Sequence, residues 1–168
     1  HSAREGLVTV VGLYANGRMQ SLIRGENLTE DRLHEALEQS DMLVTFFGSV
    51  FDVPYLQTAF PRLNFKKPHF DLCFAARRLG LQGGLKFIER ELQIRRDEAI
   101  EELDGWDAVR LWHRWRGGDD AALDLLLRYN AADARNLEPL AELLFQQMVA
   151  RYGPPSVGAC HPPLPKDE

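Results

Sequence analysis

The sequence predicts an α/β fold in which a mixed sheet, an antiparallel hairpin followed by parallel strands, is flanked by helices. Three observations favour this class. A β-branched run at 7–14 is followed by an Asn-Gly turn and an alternating segment at 18–24. A short apolar run at 41–47 is typical of a buried parallel strand. Helical periodicity then dominates the second half of the chain.

The first half of the chain supplies the predicted strands. Asn16-Gly17 readily takes positive φ, so the first two strands should pair as a hairpin. Pro54 is tolerated in a helix only within its first turn, which places Asp52 at or near a helix N-terminus. The elements predicted here are strands at 7–14, 18–24, 41–47 and 65–71, and a helix capped within 27–29 that runs to about residue 39.

The second half is predicted to be helical. Helices are expected at 71–79 and 85–92, and Asp104 should cap a helix that ends at Gly117-Gly118. Three tryptophans on that helix, at 106, 112 and 115, are expected in the core, with stacking of one of them on a base as the alternative. A last helical block should run from Asp119 to Tyr152, with a bend allowed by Pro139. One domain is therefore predicted at 5–152, followed by a Pro-rich tail at 153–168.

Composition limits the function classes. The chain has 168 residues and a net charge of −5, which argues against a protein that coats nucleic acid by bulk attraction. No apolar run is long enough to cross a membrane. Basic residues are concentrated at 62–96, which indicates either a polyanion site or solvated helix faces. Cys73 is expected in the core and Cys160 in the tail, so a reducing, cytoplasmic setting is expected.

Three side chains stand out as candidates for chemistry. Tyr129 and Asp133 are four residues apart on one predicted helix, so a phenol and a carboxylate share one face. Asp52 follows a buried strand, where α/β sheets place their sites, although a carboxylate there also suits a helix N-terminus. Asp71 is interpreted as a helix cap and His69 as a structural residue.

These segments together resemble a known family. The stretch 43–56 resembles the second motif of DEDD-type 3′→5′ exonucleases of the RNase H-like superfamily. The segments 69–72, 84–86 and 129–133 follow in the order expected of that family. The tyrosine at 129 corresponds to the Tyr-x-x-x-Asp (DEDDy-like) variety, and the set is most similar to the YprB-like group of predicted RNase H-like nucleases. The resemblance covers roughly residues 5–147.

The resemblance implies a site for two Mg²⁺ or Mn²⁺ ions. Asp52 and Asp133 correspond to metal-binding catalytic aspartates, and Tyr129 to the residue that orients the attacking water. Contacts to a single-stranded nucleic-acid end are implied for positions 47, 86 and 130, which are Phe47, Lys86 and Asn130 here. The family usually has Asn where this chain has Phe47. The first motif, Asp-x-Glu, is not present, so by resemblance the opening strand of the sheet is expected upstream of residue 1.

Two functions follow as expectations. The first is a divalent-metal-dependent nuclease, a 3′→5′ exonuclease acting on single-stranded DNA or RNA. The second is a catalytically inactive nucleic-acid-binding module with the same fold, which the missing acidic pair and Phe47 favour. Because two carboxylates rarely hold two ions, the chain as given is expected to be a poor enzyme by itself. The sequence does not predict an oligomeric state.

Overall fold

The computed structural model describes residues 7–153, which form four short strands and eight helices. In chain order the strands are β1 (Val10–Ala15), β2 (Arg18–Ile23), β3 (Leu43–Thr45) and β4 (His69–Asp71). The helices are α1 (Glu30–Glu38), α2 (Asp52–Ala59), α3 (Leu72–Arg78), α4 (Leu85–Glu91), α5 (Glu98–Glu101), α6 (Gly105–Arg116), α7 (Asp120–Arg135) and α8 (Leu137–Tyr152). The predicted tail beyond Gly153, with Cys160, lies outside the described residues.

The hairpin of β1 and β2 forms because its turn residues accept a left-handed backbone. Asn16 has φ 52° and Gly17 has φ 73°, the positive values that a two-residue hairpin turn requires. The two strands pair antiparallel along their whole length, with Ala15 opposite Arg18 beside the turn. The predicted hairpin is therefore present.

The second pair of strands is parallel. Leu43 of β3 lies opposite His69 of β4, and Thr45 lies opposite Asp71. Both strands have three residues and are shorter than the predicted segments. Within residues 7–153 the hairpin and the parallel pair are separate two-stranded sheets. An antiparallel hairpin, a parallel pair and flanking helices nonetheless confirm the predicted α/β class.

Three hydrophobic clusters attach the helices to the strands. Residues of α3, α4 and α8 form one cluster, and β3 and β4 pack against it through half-buried Val44 and Phe70. A second cluster joins α1 to the hairpin, and a third joins α6 and α7 to β1. The buried side chains of these clusters are, in order, Leu72, Ala75, Ala76, Ile88, Leu140 and Leu144; Leu22, Leu33, Leu37 and Leu63; and Leu111, Ala122 and Leu126. The hairpin and the parallel pair therefore pack against different sets of helices.

Side-chain caps fix several helix starts. Asp104 accepts from the N–H of Asp107, whose carboxylate in turn accepts from the N–H of Asp104, a reciprocal pair that begins α6. Thr29 accepts from the N–H of Arg32 at the start of α1. Asp119 accepts from the N–H of Ala122 at the start of α7. The caps predicted within 27–29 and at Asp104 are therefore present, and Asp119, the predicted start of the last helical block, is also a cap.

The last helical block differs from the prediction. A bend at Pro139 was expected, but α7 ends before Asn136 and α8 starts at Leu137. Pro139 is consequently in the first turn of α8, where its missing N–H costs no helical hydrogen bond. The break lies upstream of the proline because its ring would clash with the carbonyl four residues earlier in a continuous helix. The short helix α5 was not predicted.

The tryptophans of α6 do not all face the core. Trp106 is 61% exposed, so its predicted core position is wrong. Trp112 and Trp115 are half-buried, pack on the third cluster, and meet edge to face with ring centroids 5.0 Å apart. Trp106 is the second residue after the Asp104 cap, and the first turn of the helix faces solvent there. No helix within residues 7–153 is long and apolar enough to cross a bilayer.

Candidate active site

A carboxylate at the end of β4 fixes the loop that follows β3. Asp71 Oδ1 accepts hydrogen bonds from the backbone N–H of Phe47, at 2.8 Å, and of Cys73, at 3.2 Å. Its Oδ2 accepts from the N–H and the hydroxyl of Ser49, at 3.0 and 2.5 Å. Asp71 therefore caps α3, as predicted, and it also holds residues 47–49 beside the strand ends.

These hydrogen bonds stabilise the charged form of Asp71. Partial burial acts to raise the pKa of Asp71, but the donors from Ser49, Phe47 and Cys73 outweigh it, and the pKa falls below its usual range. Both carboxylate oxygens are occupied by groups of the protein. Asp71 is consequently a positioning residue for the loop.

The loop itself is tightly constrained. Phe47 has φ 62°, a left-handed conformation that a bulky side chain rarely takes. A Cβ on Gly48 would lie 2.5 Å from the side chain of Thr45, so only glycine fits there. Thr45 Oγ1 is 2.8 Å from His69 Nε2, which agrees with the structural role predicted for His69. These constraints fix the path of the loop and therefore the point at which the chain enters α2, at Asp52.

Asp52 is the first residue of α2, as Pro54 predicted. Phe51 occupies the capping position and no side-chain cap hydrogen bond is present, so Asp52 does not act as the cap. The residue is exposed, yet the atoms crowded around its carboxyl raise the pKa of Asp52. The negative charges of Asp71 and Asp133 raise that pKa further, while the N–H of Asp52 itself opposes the rise. Asp52 and Asp133 therefore lie within electrostatic reach of each other.

Tyr129 and Asp133 stand one turn apart on α7, on the same face as predicted. Burial and the negative charge of Asp133 raise the pKa of Tyr129 to about 12, although Arg96 acts in the opposite direction. The phenol is therefore neutral at physiological pH and carries a proton that it can donate. Burial also raises the pKa of Asp133, and the Arg96 guanidinium only partly offsets this effect.

A buried ion-pair network holds Asp133. Arg96 donates from Nε and Nη2 to the two carboxylate oxygens of Glu89, at 2.6 and 2.9 Å. Its Nη1 lies 2.6 Å from Asp133 Oδ1, an ion pair without a well-directed hydrogen bond. Asn136 donates to Glu89 Oε1 at 3.0 Å. Arg96 and Glu89 are 3% and 1% exposed, whereas Asp133 is 35% exposed, so Asp133 is the member of the network that reaches the surface.

Lys86 lies beside the site but is engaged by the protein. Its ammonium group donates to the backbone carbonyls of Glu101 and Leu103, and it stands 5.2 Å from the centroid of the Tyr129 ring. Burial and the positive charge of Arg96 lower the pKa of Lys86. Lys86 thus supports the ring of Tyr129, and its contact with a substrate stays a prediction.

Asn130 faces the hairpin. A Cβ on Gly12 of β1 would lie 2.4 Å from Asn130 Oδ1, so the amide of Asn130 fills the space that a glycine leaves. That oxygen is buried and lacks a hydrogen-bond partner among the described residues. The side chain packs α7 against β1 here, and the predicted substrate contact of Asn130 is not tested by this arrangement.

Two residues of the site were not identified from the sequence. Glu89 and Arg96 form the centre of the network, yet sequence analysis assigned neither a role. A signal was available, because Glu89 lies next to Ile88 on the inward face of a helix, where a charged residue is rare unless it is paired. The partner was not predictable, since Arg96 follows a turn whose path depends on tertiary packing.

The donors present suit a hard divalent cation, but they are few. Asp52 and Asp133 supply carboxylate oxygens, which Mg²⁺ and Mn²⁺ prefer. Burial raises the pKa of each carboxyl, and a bound cation would oppose that rise by stabilising the charged form. Within residues 7–153, however, no group of three or more His, Cys, Asp or Glu side chains could hold a metal ion. The described residues therefore fit part of the shell of one ion and do not provide for two.

The described residues combine an α/β fold with two aspartates within electrostatic reach of each other, Asp52 at the start of α2 and Asp133 on α7, and with Tyr129 one turn from Asp133. The chain belongs to the RNase H superfamily, whose family model matches residues 2–145. The predicted superfamily is thereby confirmed, and with it a nuclease-like fold in a superfamily that binds nucleic acid. Comparisons with curated proteins and with solved structures gave no match.

Proposed function

We propose that the protein is a divalent-metal-dependent nuclease, a DEDD-type 3′→5′ exonuclease that hydrolyses phosphodiester bonds of single-stranded DNA or RNA. The observation that carries this proposal is the electrostatic coupling of Asp52 and Asp133, which come from distant parts of the chain. Burial raises the pKa of both carboxyls, the charge of Asp133 adds to the rise at Asp52, and a neutral phenol stands one turn from Asp133; this arrangement favours cation binding. Membership of the RNase H superfamily supports nucleic acid as the substrate class.

Asp52 and Asp133 would hold Mg²⁺ or Mn²⁺. When bound, such a cation polarises a phosphate oxygen and makes its bound water easier to deprotonate. Tyr129 is a hydrogen-bond donor in this scheme, because a phenol with a pKa of about 12 does not act as a base at neutral pH. It orients the attacking water or a phosphate oxygen.

Arg96 and Lys86 act through other residues. The guanidinium of Arg96 is fixed by Glu89 and holds Asp133 at the surface of α7. The ammonium of Lys86, fixed by two backbone carbonyls, lies against the ring of Tyr129. Both are positioning residues for the two catalytic side chains of α7.

A second function is a nucleic-acid-binding module without catalysis. The specific observation in its favour is the ion pair of Arg96 with Asp133, which already neutralises one of the two candidate ligands. The lack, within residues 7–153, of a cluster of three or more side chains that could hold a metal ion points the same way.

Cleavage assays on the full-length protein separate the two functions. With Mg²⁺ or Mn²⁺, a 5′-labelled single-stranded oligonucleotide should be shortened stepwise from its 3′ end, and a chelator should stop the reaction. Asp52→Asn and Asp133→Asn should each lower the rate by about 100-fold or more. Asp41→Asn, at an exposed aspartate, is the matched control and should leave the rate unchanged. Binding without cleavage by the unaltered protein would support the binding module and contradict the nuclease.

A further inference from the structure

Two phenylalanine rings lie side by side on the surface next to the candidate site. Phe47, in the loop after β3, is 36% exposed, and Phe74 of α3 is 40% exposed. Their ring centroids are 6.1 Å apart with planes inclined at 38°. Exposed aromatic rings that contact each other, and contribute to none of the buried clusters, form an apolar patch that a partner can cover.

An arginine covers one side of this pair. The guanidinium of Arg77 lies 5.8 Å from the ring centroid of Phe47 and 5.5 Å from that of Phe74. No carboxylate within the described residues forms an ion pair with Arg77. A cation shared by two aromatic rings keeps its charge available for an anionic ligand while its plane extends the stacking surface.

The loop holds Phe47 at the surface. A left-handed backbone is unfavourable for phenylalanine, and here the bond from Phe47 N–H to Asp71 maintains it. The same carboxylate binds Ser49, three residues before Asp52. The backbone of Phe47 is thus held by the same carboxylate as the loop that leads to Asp52, so a group stacked on the ring would lie close to the loop that carries a candidate catalytic aspartate.

We propose that Phe47, Phe74 and Arg77 form a stacking platform for one base of a single-stranded nucleic acid. This platform rests on the proposed function for its substrate class. Two adjoining aromatic faces bind any base through its π-surface, and a guanidinium binds the neighbouring phosphate. The asparagine that the resemblance implies at position 47 would make a polar contact, whereas the phenylalanine presents an aromatic ring on which a base can stack.

The test uses single-stranded oligonucleotides that carry 2-aminopurine or an abasic site near the 3′ end. Binding is measured with the full-length Asp133→Asn variant in Mg²⁺, which limits cleavage, and cleavage is measured separately with the unaltered protein. 2-Aminopurine fluorescence should be quenched on binding, and the abasic oligonucleotide should bind about 5- to 100-fold more weakly than the intact one. This comparison needs no change in the platform, because both oligonucleotides are measured with the same protein.

Matched variants assign the effect to the platform. Phe74→Leu should weaken binding of the intact oligonucleotide by about 5- to 100-fold and remove the penalty for the abasic site, while Phe74→Trp should preserve both. Phe145→Leu, at an exposed phenylalanine of α8, is the control and should change neither. Arg77→Gln should weaken binding more than Arg78→Gln, because Arg78 makes no ring contact in the described residues.

The outcomes distinguish the platform from the nuclease. Equal binding of intact and abasic oligonucleotides, or no effect of Phe74→Leu when the variant is folded, overturns the platform even if the unaltered protein cleaves. Base-dependent quenching without cleavage by the unaltered protein supports the platform and overturns the nuclease. Absence of binding to every oligonucleotide overturns both.

Discussion

At the scale of single residues, Asp71 is the side chain that connects the loop after β3 to the start of α3. Its two oxygens accept four hydrogen bonds, from the start of α3 and from the loop that leads to Asp52. A cap that serves two segments couples the helix to the loop, so that the position of α2 depends on one carboxylate. The sequence indicated the cap, but the contacts with Phe47 and Ser49 required the loop to fold back.

Asp71→Asn should destabilise the protein by about 1–3 kcal/mol at neutral pH, because the amide has one accepting oxygen where the carboxylate has two. The pKa of Asp71 is lowered in the folded state, so its stabilisation is present above the unfolded pKa of about 3.9 and is lost as pH falls through the lower folded value. The difference in unfolding free energy between protein and variant should therefore shrink below about pH 4. Urea unfolding at several pH values measures it, with Asp41→Asn as control. A difference independent of pH would contradict the role of the charge.

Phe47 adopts an unfavourable backbone conformation at the surface. A left-handed conformation costs an L-residue roughly 1–2 kcal/mol, whereas glycine takes it freely. Phe47→Gly should therefore raise the unfolding free energy by about 0.5–1 kcal/mol, after the larger unfolded-state entropy of glycine is included. Gln93→Gly, at another residue with φ near 60°, should behave alike. Thermal unfolding checks both, and a loss of stability in Phe47→Gly would show that ring packing outweighs the backbone strain.

At the scale of elements, helix and strand boundaries set by neighbouring residues could be predicted from the sequence, whereas boundaries set by tertiary packing could not. Asn16-Gly17 and the cap at Asp104 act within a few residues, so sequence alone identified the hairpin and the start of α6. β3 and β4 are shorter than the segments predicted at 41–47 and 65–71, because a strand ends where its pairing with the neighbouring strand ends, whatever the β-propensity of the residues beyond. The boundary between α7 and α8 was displaced because Pro139 excludes the preceding turn from a continuous helix.

Arg96 connects two helices, α4 and α7, that are distant along the chain. It lies between α4 and α5, pairs with Glu89 of α4, and reaches Asp133 of α7 close to the start of α8. A buried bidentate pair of this kind adds little net stability relative to apolar residues, but it is expensive to break. The network therefore specifies where α7 presents Asp133.

Arg96→Met should lower the unfolding free energy by about 3–5 kcal/mol, because it leaves the Glu89 carboxylate buried and unpaired. Arg95→Met, at the exposed neighbour, is the control and should change stability by no more than about 0.5 kcal/mol. Adding Glu89→Leu to Arg96→Met should recover a large part of the loss, since the unpaired charge is removed. Denaturant unfolding of the three variants measures this. A loss below about 1 kcal/mol in Arg96→Met would contradict a buried network.

At the scale of the whole molecule, three of the nine basic residues at 62–96 form ion pairs. The pairs of Arg62 and Arg90 are exposed and contribute about 0–1 kcal/mol each, whereas those of Arg96 belong to the buried network. The choice between a polyanion site and solvated helix faces for the other six residues stays a prediction. The pairs are Arg62 with Glu30 and Asp31, Arg90 with Glu101 and Glu102, and Arg96 with Glu89 and Asp133.

The candidate site could be predicted in outline. Tyr129 and Asp133 follow from a four-residue spacing, and Asp52 from its place between a strand and a proline-marked helix start. Their mutual approach was supported only by resemblance, because no local rule relates residues so far apart in sequence. The buried pair behind Asp133 and the rings beside Phe47 depend on how α3, α4 and α7 pack, which the sequence pattern does not encode.

Binding of Mn²⁺ is the most direct test, because the proposed nuclease requires a cation held by both Asp52 and Asp133. Titration of residues 1–168 with Mn²⁺, followed by electron paramagnetic resonance, should detect one bound ion. Asp52→Asn and Asp133→Asn should each abolish that binding, and the double variant should add little to either, since both aspartates serve one ion. Asp41→Asn should bind like the unaltered chain. Two ions bound to this chain, or unchanged Mn²⁺ affinity in either site variant, would contradict the account.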